Sequence, residues 1–166
     1  MRCDTLPNRY IEVCIATQTL DLIEDSIVIH SYPVSTAKNG AGERMGSECT
    51  PRGWHKIRAK IGDHQPLNAV FVGRRETGEI YTPALGEKNP DRDWILTRIL
   101  WLGGLEARFN RYGAVDSTWR YIYIHGSPDH LMQGKPASHG CIRMANVDVV
   151  HLFNQIRLGE FVWIHI

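Results

Sequence analysis

Cys141 stands in the run Ser138-His139-Gly140-Cys141-Ile142-Arg143, and His125 ends an apolar run about sixteen residues earlier. A cysteine flanked by glycine, small polar residues and an arginine is poorly suited to a core and well suited to attack. Thiol chemistry needs the thiolate, and a free cysteine with pKa near ~8.5 supplies only a few per cent of it at neutral pH. A histidine within hydrogen-bond reach supplies the missing activation. Gly140 permits a sharp turn and close approach of a substrate. The N–H groups of Gly140 and Cys141 are candidates for holding the oxyanion of a tetrahedral intermediate.

His125 precedes Gly126-Ser127-Pro128, a loop signal, so it sits where a strand ends and a cleft can open. A backbone carbonyl of Gly126 or a near neighbour could fix the imidazole tautomer. A lone histidine there would more often be structural; a cysteine nucleophile across the loop reverses that judgement. Arg143 could bind a substrate carboxylate through its planar fork, or pair with an acid such as Asp148 or Asp116. His139 could touch substrate or orient the loop, and Ser138 suits a local turn hydrogen bond. His125, His130, His139 and Cys141 could be read as zinc ligands, but there is no C-x-x-C pair and no H-E-x-x-H helix, so no metal is expected. Gly134-Lys135 lacks the spacing and the Ser/Thr of a phosphate-binding loop. No cofactor is implied.

The chain has 166 residues, a formal net charge of +1 and four cysteines. That length suits a single domain over 1–166 with a real core. Basic residues are scattered rather than interleaved with aromatics, which argues against nucleic acid as partner. No apolar span is long enough for a transmembrane helix, so no membrane is expected either. The first residues lack the apolar stretch and cleavage site of a secretory signal, and with Met1 as native start a cytoplasmic location is expected. Disulfides are then disfavoured; Cys14, between Val13 and Ile15, suits a buried position, and Cys3 and Cys49 receive no role.

Positioning these groups falls to a mostly β domain. Strands are predicted over Tyr10–Ala16, Thr19–Ile23 and Ser26–Val34, with Asp25-Ser26 as a tight turn. A polar, glycine-rich loop follows over Lys38–Thr50, then a strand over Trp54–Lys60 and mixed short-strand and loop sequence over Ile61–Arg92. Trp94–Leu102 and Trp119–His125 read as strands. Asn146–Leu158 is the confident helix, with Asn146 as cap, Val149, Leu152, Phe153 and Ile156 as its apolar stripe and Gly159 at the C′ position. Phe161–Ile166 is the last strand.

Together, His125-Gly126, Ser138-His139-Gly140-Cys141-Ile142-Arg143-Met144 and the helix holding Asp148 resemble the signature of the L,D-transpeptidase catalytic domain (YkuD-type). Tyr32-Pro33-Val34-Ser35-Thr36 is similar to that family's PVS strand and Thr50-Pro51-Arg52-Gly53 to its TPxG turn, so the resemblance spans roughly residues 10 to 166. It implies a mainly β, sandwich-like fold with one or two short helices and the nucleophile on the loop before the C-terminal helix. It also implies attack on the L,D bond after meso-diaminopimelate in a peptidoglycan tetrapeptide or muropeptide, with release of D-alanine. By position match Cys141 is the nucleophile, His125 the base, the Gly126 carbonyl its orienting group, Gly140 and Cys141 the oxyanion donors, and Arg143, His139 and Ser138 candidate substrate contacts. A carbapenem is expected to acylate Cys141. Without an export signal, water is the expected acceptor, which makes the chain an L,D-carboxypeptidase of murein recycling; an amine acceptor would make it a transpeptidase. A non-catalytic wall-peptide binding module is the reading from another class.

Overall fold

Alternating apolar and polar residues near the N-terminus build an antiparallel meander of β1 (Arg9–Cys14), β2 (Thr19–Glu24) and β3 (Ile27–Pro33). The computed structural model describes residues 6–132 and 134–166, so Cys3 falls outside it. Asp25 and Ser26 join β2 to β3 with φ of 50° and 65°, the signs that a two-residue type I′ turn demands. Cys14 is half-buried at the end of β1 rather than a core residue, because its side chain falls on the strand face opposite Ile11 and Val13. Cys14, Cys49 and Cys141 are free thiols.

The sheet continues through β4 (Gly53–Ile61), β5 (Ala69–Val72), β6 (Arg75–Ile80), β7 (Ile95–Gly104) and β10 (Phe161–His165) in the order β3-β2-β1-β10-β4-β7-β5-β6. β8 (Tyr123–Gly126) pairs with β7, and β9 (Ile142–Met144) pairs with β8. β7 is therefore a branch point: β4 and β5 share one of its edges, and β8 takes the other. Ile11 and Val13 of β1, Leu20 and Leu22 of β2, Leu100 and Leu102 of β7, Ile124 of β8 and Ile142 and Met144 of β9 enter one core. A continuous, branched ten-stranded network thus contributes to one core, and the fold is mainly β with two short helices.

The second helix, α2 (Asn146–Gln155), lays Val149, Leu152 and Phe153 into the same core, as the stripe predicts. Its cap position is Ala145, not Asn146, and Ile156 closes it three residues before Gly159. Asn146 has a different task, described below. In the stretch 61–92, short helix α1 (Pro83–Lys88) is an element the sequence reading did not place. Thr82 caps it by accepting from Leu85 N–H at 3.1 Å, and Pro83 follows; Thr-Pro is a legible start signal. Trp119 and Tyr121, predicted in a strand, lie in a turn with 61% and 46% exposure. Asp116, Ser117 and Thr118 carbonyls accept from Arg120, Ile122 and Tyr121 N–H groups and curl the chain there, and Tyr121 has φ of 55°. Among the described residues no helix is long and apolar enough to cross a membrane.

Candidate active site

Strand register brings the chemistry together. β8 and β9 run parallel with Ile124 opposite Ile142 and His125 opposite Arg143. Side chains two apart share a face, so Tyr123, His125, Cys141 and Arg143 project to one side while Ile124, Ile142 and Met144 go to the core. Cys141 sits one residue before β9, which separates it from α2. The loop 127–137 therefore acts as a crossover that sets a parallel strand beside β8. Both Cys141 and His125 line a cleft of about 350 Å³, shared with Arg74, Asp93, Arg120, Tyr121, Tyr123 and others.

His125 is buried, and its Nδ1 lies 2.6 Å from the Gly126 carbonyl. A carbonyl only accepts, so Nδ1 carries the proton and Nε2 keeps its lone pair for the cleft. The position of that carbonyl is set by tight packing. A Cβ on Gly126 would lie 2.6 Å from Asn146 Oδ1 and 2.6 Å from the Leu96 carbonyl oxygen. Asn146 Nδ2 donates to the Ser127 carbonyl at 2.9 Å, and its Oδ1 accepts from Thr97 Oγ1. Thr97, with φ of 73° at a register shift in β7, holds a conformation that β-branched residues rarely adopt. Strain stored in β7 thus supports the floor beneath the histidine.

The thiol donates to the Tyr121 carbonyl and accepts from the Tyr123 N–H, each at 3.4 Å. Although partly exposed, it is enclosed enough that desolvation pushes it up to about 12. The Tyr123 N–H pulls it down, Asp93 pushes it further up, and Arg143 and Arg120 pull it down. Desolvation likewise lowers His125, opposed by its bond to Gly126. Both groups are therefore neutral at rest. The sign is testable. Iodoacetamide labelling of Cys141, read by peptide mass spectrometry apart from Cys14 and Cys49, should climb about tenfold per pH unit through pH 10, whereas a free thiol levels off near ~8.5. A plateau at pH 8–9 would contradict the neutral resting pair.

Arg143 is mostly buried, and its acid is Asp93 at 2.9 Å. Neither acid named from sequence serves: Asp116 accepts from the Tyr112 and Thr118 N–H groups, and Asp148 faces His151. Asp93, fifty residues away, carried no local signal. His139 is exposed and lines both this cleft and a neighbouring one of about 380 Å³. Ser138 is buried; its hydroxyl donates to the Cys141 carbonyl and accepts from Gly140 N–H at 3.2 Å, the local turn bond expected of it. Gly140 N–H is thus engaged in the turn, and the backbone donor touching sulfur is Tyr123 N–H. Gly140 has φ of 132°, outside the range of most side-chain-bearing residues. His130 lines a different cleft with Tyr81 and Trp94. Among the described residues no group of three or more His, Cys, Asp or Glu is placed to hold a metal ion.

The two upstream motifs clamp this turn. Ser35 N–H donates to the Arg143 carbonyl and the Ser35 carbonyl accepts from Arg143 N–H, both at 2.9 Å, and the Thr36 carbonyl accepts from the Ala137 and Ser138 N–H groups. Thr50 Oγ1 donates to the Gly140 carbonyl at 3.0 Å. Arg120 ties down the loop 38–50 through the carbonyls of Gly42, Glu43 and Cys49. Sequence reasoning missed Arg120 and Tyr123; the two-residue spacing of Tyr123 from His125 was the signal available for the latter.

A thiol, a carbonyl-oriented imidazole and a guanidinium thus share one face of two parallel strands in a branched β fold. The family described as the L,D-transpeptidase catalytic domain (YkuD) matches residues 8–164, and the chain belongs to that family. A Bacillus subtilis (strain 168) protein named "Putative L,D-transpeptidase YqjB" is 43% identical over 60 residues, covering 36% of this chain and 34% of the relative. Among solved structures, the L,D-transpeptidase (residues 123–326) from Xylanimonas cellulosilytica DSM 15894 aligns with a TM-score of 0.57 at 17% identity, over 98% of this chain and 63% of that one. L,D-transpeptidase 3 from Mycobacterium tuberculosis, in complex with a faropenem-derived adduct, aligns with a TM-score of 0.58 at 16% identity, over 96% and 61%. These structures share the fold, and the chain spans less than two thirds of the length of each of these three relatives.

Proposed function

We propose that the chain is a cysteine acyl-enzyme peptidase that cleaves the L,D bond between meso-diaminopimelate and terminal D-alanine of peptidoglycan tetrapeptides, with water as acceptor. The observation that carries the chemistry is the register placing Cys141 and His125 on one face, with Nδ1 held by the Gly126 carbonyl. His125 Nε2 takes the thiol proton as sulfur bonds to the scissile carbonyl carbon. Backbone donors, Cys141 N–H and Tyr123 N–H, face the developing oxyanion. The imidazolium returns its proton to the leaving D-alanine nitrogen as the C–N bond breaks, leaving a thioester. Water, deprotonated by His125, then attacks the thioester and sulfur leaves to regain its proton. Arg143, fixed by Asp93, and His139 face the substrate; Ser138 holds the turn in shape.

The choice of water is supported by the cleft itself: about 350 Å³ is at the small end for a ligand pocket and suits one peptide stem. An amine acceptor would have to enter through the adjoining cleft beside His139, and would yield L,D-transpeptidation from the same thioester. Incubating the protein with a disaccharide tetrapeptide and following it by mass spectrometry separates the two. The expected products are disaccharide tripeptide and free D-alanine, as trimming in murein recycling requires. Cross-linked dimers, or exchange of added D-amino acids, would assign the amine; binding with no turnover would favour the non-catalytic module.

A further inference from the structure

The cleft around Cys141 is charged unevenly. Three guanidinium groups line it, Arg74, Arg120 and Arg143, against one carboxylate, Asp93. Asp93 answers Arg143 at 2.9 Å, so the end shared with the neighbouring cleft presents an ion pair without net charge. The other end, formed by Gly73, Arg74, Arg120 and Tyr121, borders only the thiol cleft and holds two cations. Arg120 spends its donors on three loop carbonyls and the Ser47 hydroxyl. The charge of Glu43 reaches it, but that carboxylate is held by Arg52 at 2.7 Å.

Arg74 has no carboxylate partner among the described residues. It stands at the tip of the β5–β6 hairpin, where Gly73 has φ of 59° at the first turn position, as a type II′ turn favours. Its guanidinium lies 4.5 Å from the Trp101 ring centre and 5.1 Å from that of Tyr121, and it donates to Tyr123 Oη at 3.0 Å. One of five N–H donors is therefore used, and the ring contacts hold the fork in place before any ligand arrives. Both polar contacts of the sulfur are to the backbone of these same two residues, Tyr121 and Tyr123, so Arg74 meets the side chains of the residues whose backbone meets the thiol, within one cleft.

We propose that this end of the cleft is a carboxylate subsite, and that Arg74 makes the protein select acyl donors ending in a free D-amino-acid carboxylate over donors whose terminus is an amide. A carboxylate there takes bidentate, charge-assisted hydrogen bonds from an arginine that no carboxylate neutralises among the described residues. A neutral amide gains no charge pairing and turns its own N–H donors toward a group that only donates. The assignment rests on the reading that the L,D bond lies at Cys141, and the experiment separates the two.

Two probes suffice: a tetrapeptide ending in diaminopimelyl-D-alanine, and the same peptide with a C-terminal amide. Turnover of each is measured with wild type, Arg74→Gln and Arg74→Lys, and binding of each is measured by calorimetry with Cys141→Ala and with Cys141→Ala/Arg74→Gln. Wild type should favour the acid by about ten- to hundredfold in kcat/KM, Arg74→Gln should bring that ratio close to one, and Arg74→Lys should restore part of it. The acid-over-amide preference should appear equally in binding and vanish in the double variant. An equal fall for both probes in Arg74→Gln would make Arg74 a hairpin support and overturn the proposal, as would a wild type indifferent to the terminus in binding. Absence of turnover with the binding preference intact would refute the proposed reaction and leave the subsite standing.

Discussion

Cys141→Ala should abolish tetrapeptide turnover, with a loss on the order of 10⁴- to 10⁶-fold, the scale seen when a covalent nucleophile is removed. The same variant should escape acylation by a carbapenem. With the wild type, β-lactam ring opening expels nothing, so intact-protein mass spectrometry should show a gain equal to the whole carbapenem, on the peptide containing Cys141. The fold should survive the change. Cys141 is partly exposed and packs at the margin of a small cluster with Ile61, Ile95 and Trp101 rather than in the main core. Turnover that persists in Cys141→Ala, or an adduct located on Cys14 or Cys49, would defeat the assigned mechanism.

Gly126→Ala is expected to damage turnover for a different reason. The hydrogen bond that sets the imidazole tautomer comes from a backbone carbonyl, which no side-chain substitution can delete; the glycine is the handle on it. A methyl group there would lie 2.6 Å from both the Leu96 carbonyl oxygen and Asn146 Oδ1. The first is strand backbone and the second is locked by Thr97, so neither can yield cheaply. Overpacking of this kind costs about 1–3 kcal/mol, a fall in Tm of roughly 2–12 °C for a domain of this size. Turnover should drop by more than about 10², since displacements near 1 Å at reacting groups cost that much. Thermal unfolding and kcat measured together test it: an alanine variant with unchanged Tm and rate would show that the carbonyl is not held by this packing.

How far the sequence carried depends on whether a signal was local. Strand β4 announces itself by alternation, β1 to β3, β7 and β10 by short runs of β-branched, aromatic and apolar residues, and the meander turn by two residues tolerant of positive φ. The apolar stripe of α2 is equally plain, because burial on one helical face has a 3.6-residue period. The failures share a cause. Trp119 and Tyr121 have strand-forming side chains, yet backbone bonds from the preceding Asp116-Ser117-Thr118 segment curl them into an exposed turn. Asn146 looked like a helix cap, but tertiary contacts claim its amide for Ser127 and its oxygen for Thr97. In the cleft, residues 138–143 and His125 were legible as types at a spacing. Asp93, Arg74 and Arg120 reach it from a strand boundary, a hairpin tip and a turn, and such long-range pairings leave no trace in local pattern.

The placement of β10 has a consequence for how the protein is made. It is the last strand in the chain, yet it lies inside the sheet, parallel to β1 on one side and antiparallel to β4 on the other. During synthesis the meander and the β4–β7 branch must wait for residues 161–165 to emerge, with β1 and β4 each presenting an unpaired strand edge. The domain is thus built so that its two halves close together only after translation has passed Cys141, and any truncation that removes β10 should leave two adhesive edges rather than a smaller folded domain.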